Sequence, residues 1–145
     1  MVKAKPKIAI RNNSSFKEGL REVPKTNAPK TAIILTPSSI GSGALIGNDG
    51  LVITNYHVIS NDEGVSPLIM VGFCTSEKYD PNASDTIFRA EVVSYIIEKD
   101  LALIQLERNK IKSKNYNVEP YSIETDMNNV LIGDDVHAIG NPQGE

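Results

Sequence analysis

Tryptophan is absent from the 145 residues, and only three Phe and five Tyr are present. Single-stranded nucleic acid is held by bases stacked on aromatic side chains, so there is little here from which to build a stacking surface. Cysteine occurs once, as Cys74. That excludes an intrachain disulfide and leans toward a reducing compartment. No histidine or asparagine shares a motif with Cys74, so it reads as a small buried strand residue rather than a nucleophile. No apolar run approaches the ~20 residues of a membrane span. Residues 1–13 offer only Ile8-Ala9-Ile10 as an apolar stretch, where a secretory leader needs about 7–15 residues. The expectation is a cytoplasmic protein, with a leader already removed as the alternative. Histidine occurs only at His57 and His137. Without an H-E-x-x-H pattern or a cysteine pair, the two histidines and the carboxylates give no metal site, and no cofactor is expected.

What the chain does have is an ordinary share of hydrophobic residues, 40%, enough for one domain with a core. Its charge is divided. Residues 1–30 carry eight Lys/Arg against two Glu, while the remainder is acidic enough to bring the net charge to −3. A basic arm on an acidic body can bind nucleic acid or an anionic membrane. Here the basic residues are scattered among Pro6, Pro24 and Pro29, which reads as a solvated leader or linker. Neither nucleic acid nor membrane is expected as a partner. Ser15-Phe16-Lys17-Glu18 has the form of a capping box and predicts a short helix over about 15–22, stopped by Pro24.

From residue 31 the texture is that of strands. Residues 31–36, 41–46, 51–54, 68–74, 87–97 and 101–106 are β-rich and separated by turn signals. Asn48-Asp49-Gly50 suits a tight turn, because Asp and Gly tolerate positive φ. Phe88, Ala90 and Val92 alternate with Arg89, Glu91 and Val93 at period two. Residues 75–85 form a polar excursion, and residues 107–128 read as a polar loop with Lys110, Lys112 and Lys114 spaced through it. A last strand or pair is predicted over 130–140. Six to seven strands with almost no helical period argue an all-β barrel.

Three stretches carry chemistry. The first is Gly41-Ser42-Gly43-Ala44-Leu45-Ile46 followed by Asp49-Gly50-Leu51-Val52-Ile53-Thr54-Asn55-Tyr56-His57-Val58-Ile59. An apolar strand anchors the segment, and His57 follows where the chain leaves the core. A general base needs this combination of fixed position and access. The second is Asp100-Leu101-Ala102-Leu103-Ile104-Gln105-Leu106, an aspartate opening an apolar strand. The third is Gly133-Asp134-Asp135-Val136-His137-Ala138-Ile139-Gly140-Asn141-Pro142-Gln143-Gly144.

These stretches, in this order, resemble the trypsin-like serine proteases of the HtrA/Deg type. There the first surrounds the triad histidine, the second opens on the triad aspartate, and the third begins the second barrel; Gln143 stands where phenylalanine is common. The resemblance covers about residues 31–145. It implies an all-β fold with a trypsin-like antiparallel β-barrel, the first of two, plus the first strand of the second. It divides the chain into a basic N-terminal arm (1–30), a first barrel (31–128) and the start of a second (129–145). It implies His57 as general base and then general acid, Asp100 as the group that orients it, and Thr54 and Asn55 as supports. His137 falls on a variable position of its motif and reads as structural or exposed.

The nucleophile of that family sits in Gly-Asn-Ser-Gly-Gly or Gly-Asp-Ser-Gly-Gly, and neither occurs in the 145 residues. Ser42 is flanked by glycines but belongs to the hairpin motif, so it is not the nucleophile. The expectation is a serine endopeptidase in a longer parent protein, with polypeptide as substrate and this chain supplying His and Asp but no Ser, hence inactive alone. The alternative is a non-enzymatic pseudoprotease barrel serving as a binding or scaffold module, with the 75–85 excursion as its contact surface. The segment 129–145, lacking a second barrel to join, is expected to pack on the first barrel, to be disordered, or to self-associate through its unpaired strand.

Overall fold

In the computed structural model, residues 27–73, 87–113 and 118–140 are described; the expected helix over 15–22, Cys74 and the 75–85 excursion lie outside them. Among the described residues there are eight strands: β1 (Thr31–Leu35), β2 (Ile40–Leu45), β3 (Leu51–Thr54), β4 (Ser60–Asn61), β5 (Gly64–Val65), β6 (Ile69–Phe73), β7 (Ile87–Ile96) and β8 (Leu101–Leu106). Six of them close an antiparallel barrel in the order β1-β2-β3-β8-β7-β6, with β4 and β5 as a separate hairpin. The all-β antiparallel barrel expected from the sequence is therefore present. Closure pairs β1 with both β2 and β6 and leaves the sheet no free end strand.

The barrel closes around side chains that alternate inward. Ile34, Val52, Val71, Phe73, Phe88, Ile104 and Leu106 are each at most 1% exposed. Phe73 and Phe88 meet edge to face, centroids 6.1 Å apart and planes at 72°, the arrangement favoured by the ring quadrupoles. Strand β8 shows the alternation most plainly: Ala102, Ile104 and Leu106 are buried while Leu101 is exposed.

Residues Arg108–Ser113 form a short helix, α1, inside what reads as a polar loop. The Glu107 carbonyl accepts from the amides of Lys110 and Ile111 at 3.1 and 3.2 Å, and Ile111 packs on the core. One apolar anchor in six residues shows no helical period, so the pattern carries no signal. Gly50 makes the docking of α1 feasible. It sits at φ +91°, and a Cβ there would lie 2.2 Å from Ile111 Cδ1 and 3.0 Å from Leu106 Cβ. Gly50→Val is accordingly expected to destabilise the barrel by about 2–4 kcal/mol, combining left-handed strain with overpacking. Urea denaturation measures it; an unchanged midpoint would contradict this packing.

The pattern predicts a strand over 130–140, and the structure corrects it. Residues 118–140 contain no strand. A 3-10 turn spans Met127–Asn129, and a second turn places the Asp134 carboxylate on the Leu131 amide at 2.9 Å, with Gly133 at φ +91°. The physical reason is that a strand needs a partner edge, and the closed barrel offers none. Val136, Ile132 and Val130 stay 88%, 66% and 45% exposed, while Ile139 returns to line a cavity beside β2 and β3.

Candidate active site at one end of the barrel

The antiparallel pairing of β3 with β8 brings two distant chain segments together. Thr54, the last residue of β3, lies opposite Ala102 in β8. The chain leaving β3 and the chain entering β8 therefore emerge at the same end of the barrel. His57 follows on a 3-10 turn, Tyr56–Val58, and Asp100 immediately precedes β8.

That turn is fastened below the histidine. Val58 and Ile59 are 4% and 0% exposed, the Val58 carbonyl accepts from the Ser39 hydroxyl, and the Tyr56 carbonyl accepts from the Ser60 hydroxyl at 2.8 Å. Gly41 gives Val58 its seat: a Cβ on Gly41 would come within 2.5 Å of Val58 Cγ2. The glycine-headed strand is thus required by the turn that carries His57.

The imidazole and the carboxylate meet directly. His57 Nδ1 lies 2.6 Å from Asp100 Oδ2, and the His57 backbone N–H donates to Asp100 Oδ1 at 2.8 Å. Both carboxylate oxygens are engaged by one residue, which fixes the rotation of the aspartate and the plane of the ring. Asp100 itself holds a left-handed backbone, φ 51° and ψ 45°, the one non-glycine positive φ among the described residues. Such strain persists where the surroundings over-determine the conformation. Asn55 contributes here, donating from Nδ2 to the Asp100 carbonyl at 2.9 Å. Thr54 donates from Oγ1 to the Ser42 carbonyl at 2.8 Å and is 6% exposed. The structure therefore brings His57, Asp100 and Asn55 into contact, with Thr54 in the strand immediately behind them. Ser42 takes part through its backbone, in mid-strand, opposite Ile33.

The Asp100 carboxyl is held below its ordinary 3.8, first by the His57 backbone N–H and then by the hydrogen bond to the His57 side chain. With an acceptor held on Nδ1, the neutral ring carries its proton on that nitrogen, leaving Nε2 unprotonated. The side chains are 72% exposed for His57 and 44% for Asp100. A cavity of about 670 Å³ opens beside the pair, lined by Ser42, Thr54, Asn55, Leu101, His137 and Ile139 among others. His137 is an exposed residue on its rim. No group of three or more His, Cys, Asp and Glu able to hold a metal occurs among the described residues.

A closed antiparallel barrel with a histidine–aspartate pair at one end belongs to a known class. Residues 41–145 match the trypsin-like peptidase domain, and the chain is a member of that family. Its relatives place it with the HtrA/Deg type. It is 34% identical over 114 residues, 77% of its length, to a DegP-like periplasmic serine endoprotease of Rickettsia prowazekii. It is 32% identical over 112 residues, again 77% of its length, to the chloroplastic Protease Do-like 1 of Arabidopsis thaliana. The chain spans only 18% and 21% of the length of these two relatives. A serine endoprotease of Yersinia pestis, solved by crystallography, is 24% identical, with a TM-score of 0.48 over 61% of this chain and 29% of that one. The expectation of a cytoplasmic protein is overturned by these comparisons, since the relatives are named as periplasmic or chloroplastic. A lone cysteine and a short apolar stretch had pointed the other way, but neither reports on compartment with any force.

Proposed function

We propose that this chain is the histidine- and aspartate-bearing part of a serine endopeptidase that cleaves polypeptides outside the cytoplasm. The observation that carries the reading is the 2.6 Å contact between His57 Nδ1 and Asp100 Oδ2 on an exposed ring. Asp100 accepts a hydrogen bond from the Nδ1–H and holds the imidazole in the tautomer whose Nε2 takes a proton from a serine hydroxyl. As that oxygen attacks the peptide carbonyl, His57 becomes an imidazolium stabilised by Asp100. It then passes the proton to the departing amine, and the cycle repeats with water in deacylation. Asn55 keeps Asp100 in its strained backbone conformation, and Thr54 ties the end of β3 to β2.

The serine is supplied by residues outside these 145, together with the backbone N–H groups that stabilise the oxyanion. Ser42 is unsuited to the role because it lies within a strand and belongs to the hairpin that supports the histidine turn. On this reading, residues 31–128 are the first barrel and 129–145 the start of a second. The relatives' names, serine endoprotease and protease, support polypeptide as the substrate class, and their periplasmic and chloroplastic designations support an extracytoplasmic site of action.

A fluorophosphonate probe tests this directly. A longer chain that continues through a Gly-x-Ser-Gly-Gly segment is expected to be labelled, and the 145-residue chain to remain unlabelled. A longer chain that folds, carries the serine and takes no label would instead favour a binding or scaffold barrel.

A further inference from the structure

Strand β7 changes phase along its length. Phe88 and Ala90 are buried at 1% and 6%, and Val92 packs against the core. Simple alternation would continue this inner face through Ser94 and Ile96 and turn Tyr95 outward. The observed register differs. Val92 lies opposite Ile104, but Ser94 lies opposite Leu103, Tyr95 opposite Ala102 and Ile96 opposite Leu101. Val93 is the extra residue of a β-bulge, and every side chain after it is moved to the other face of the strand.

The consequence falls on Tyr95. It shares a row with Ala102 of β8 and, through it, Thr54 of β3, both inward-facing residues exposed by 2% and 6%. Its ring rises at the barrel mouth and meets Tyr56, centroids 5.0 Å apart and planes tilted by 34°. Tyr56 opens the turn that carries His57 and packs on the core. Tyr95 stands two residues before the 3-10 turn Ile97–Lys99, which delivers Asp100. The ring pair therefore bridges the support of the histidine to the support of the aspartate.

We infer that Tyr95 is a positioning residue for the His57–Asp100 pair, placed there by the β7 bulge. Bulges re-aim side chains and are over-represented beside active sites. An aromatic side chain that merely favoured the strand would need no phase change and no partner ring. Tyr95 is 48% exposed, so its contribution to the core is small while its contact with Tyr56 is specific.

The inference rests on His57 being oriented by Asp100, and the test separates the two. Imidazole 15N shifts of the 145-residue chain, recorded at a pH where histidine is neutral, report the ratio of Nδ1–H to Nε2–H tautomers at His57. The unsubstituted chain is expected to be mainly Nδ1–H. Tyr95→Thr, which keeps strand propensity, is expected to lower that ratio about fivefold by removing one aromatic pair. Tyr95→Leu repeats the measurement with an unbranched-Cβ apolar side chain should the threonine variant fold poorly, and Tyr95→Phe is expected to keep the ratio. Ring-removing variants with an unchanged ratio overturn the positioning role and leave the catalytic reading intact. An unsubstituted chain that is mainly Nε2–H overturns both.

Discussion

Asp100→Asn is expected to leave the barrel folded and to lower kcat about 10⁴-fold in a chain that also carries the serine, the loss seen when a triad histidine is left in the wrong tautomer. The geometry explains why so small a change is so damaging. Asp100 receives two donors from one residue, the backbone N–H of His57 on Oδ1 and the ring on Oδ2. A carboxylate accepts both; a carboxamide accepts one and presents its NH₂ to the other. If the amide oxygen keeps the backbone N–H, the NH₂ faces Nδ1. The ring then carries its proton on Nε2, where it cannot take one from serine. The fold is spared because asparagine is among the residues most tolerant of a left-handed backbone, which position 100 requires at φ 51°.

The same substitution has a signature in acid. A carboxyl held below its ordinary 3.8 contributes stability that is fully present above that value and is lost as pH falls through the lowered native-state value. The unsubstituted chain and Asp100→Asn should therefore differ most near neutrality and converge as acid protonates Asp100. Urea midpoints across pH measure this. A kcat within tenfold of the unsubstituted protein would remove Asp100 from the mechanism, whatever the stability data showed.

Legibility varied from element to element. Strands β3 and β8 are readable because each is a short apolar run between strong turn signals, Asp49-Gly50 before one and Lys99-Asp100 before the other. Their antiparallel pairing then places His57 and Asp100 together, so the two residues that resemblance singled out are also the two that topology joins. What could not be read depends on register. The bulge at Val93 leaves no mark on the alternation of Arg89, Glu91 and Val93, and only the partner strand reveals that Tyr95 has been turned toward Tyr56. Helix α1 is hidden because its stability comes from Ile111 meeting Gly50, immediately before the neighbouring strand β3, rather than from a period. The predicted strand over 130–140 fails for the opposite reason. Its pattern is that of a strand, but pairing is a property of two edges, and the closed barrel withholds the second. Gly41 was legible as part of a motif; its reason, the room it leaves for Val58, was not.

The proposed role of His57 as the base that activates a serine is tested most directly by its removal. The ring is 72% exposed, and the turn beneath it is held by buried Val58 and Ile59. His57→Ala should therefore fold as the unsubstituted protein does. Without the base, the acylation machinery of a Ser-His-Asp site loses about 10⁶ in kcat. The measurement is the rate of fluorophosphonate labelling of a longer, serine-bearing chain and of its His57→Ala form, with the adduct located by mass spectrometry. The expected result is rapid labelling of a serine outside these 145 residues and loss of that labelling in His57→Ala. Labelling of His57→Ala at the full rate, or an adduct on a serine within residues 1–145, would contradict it.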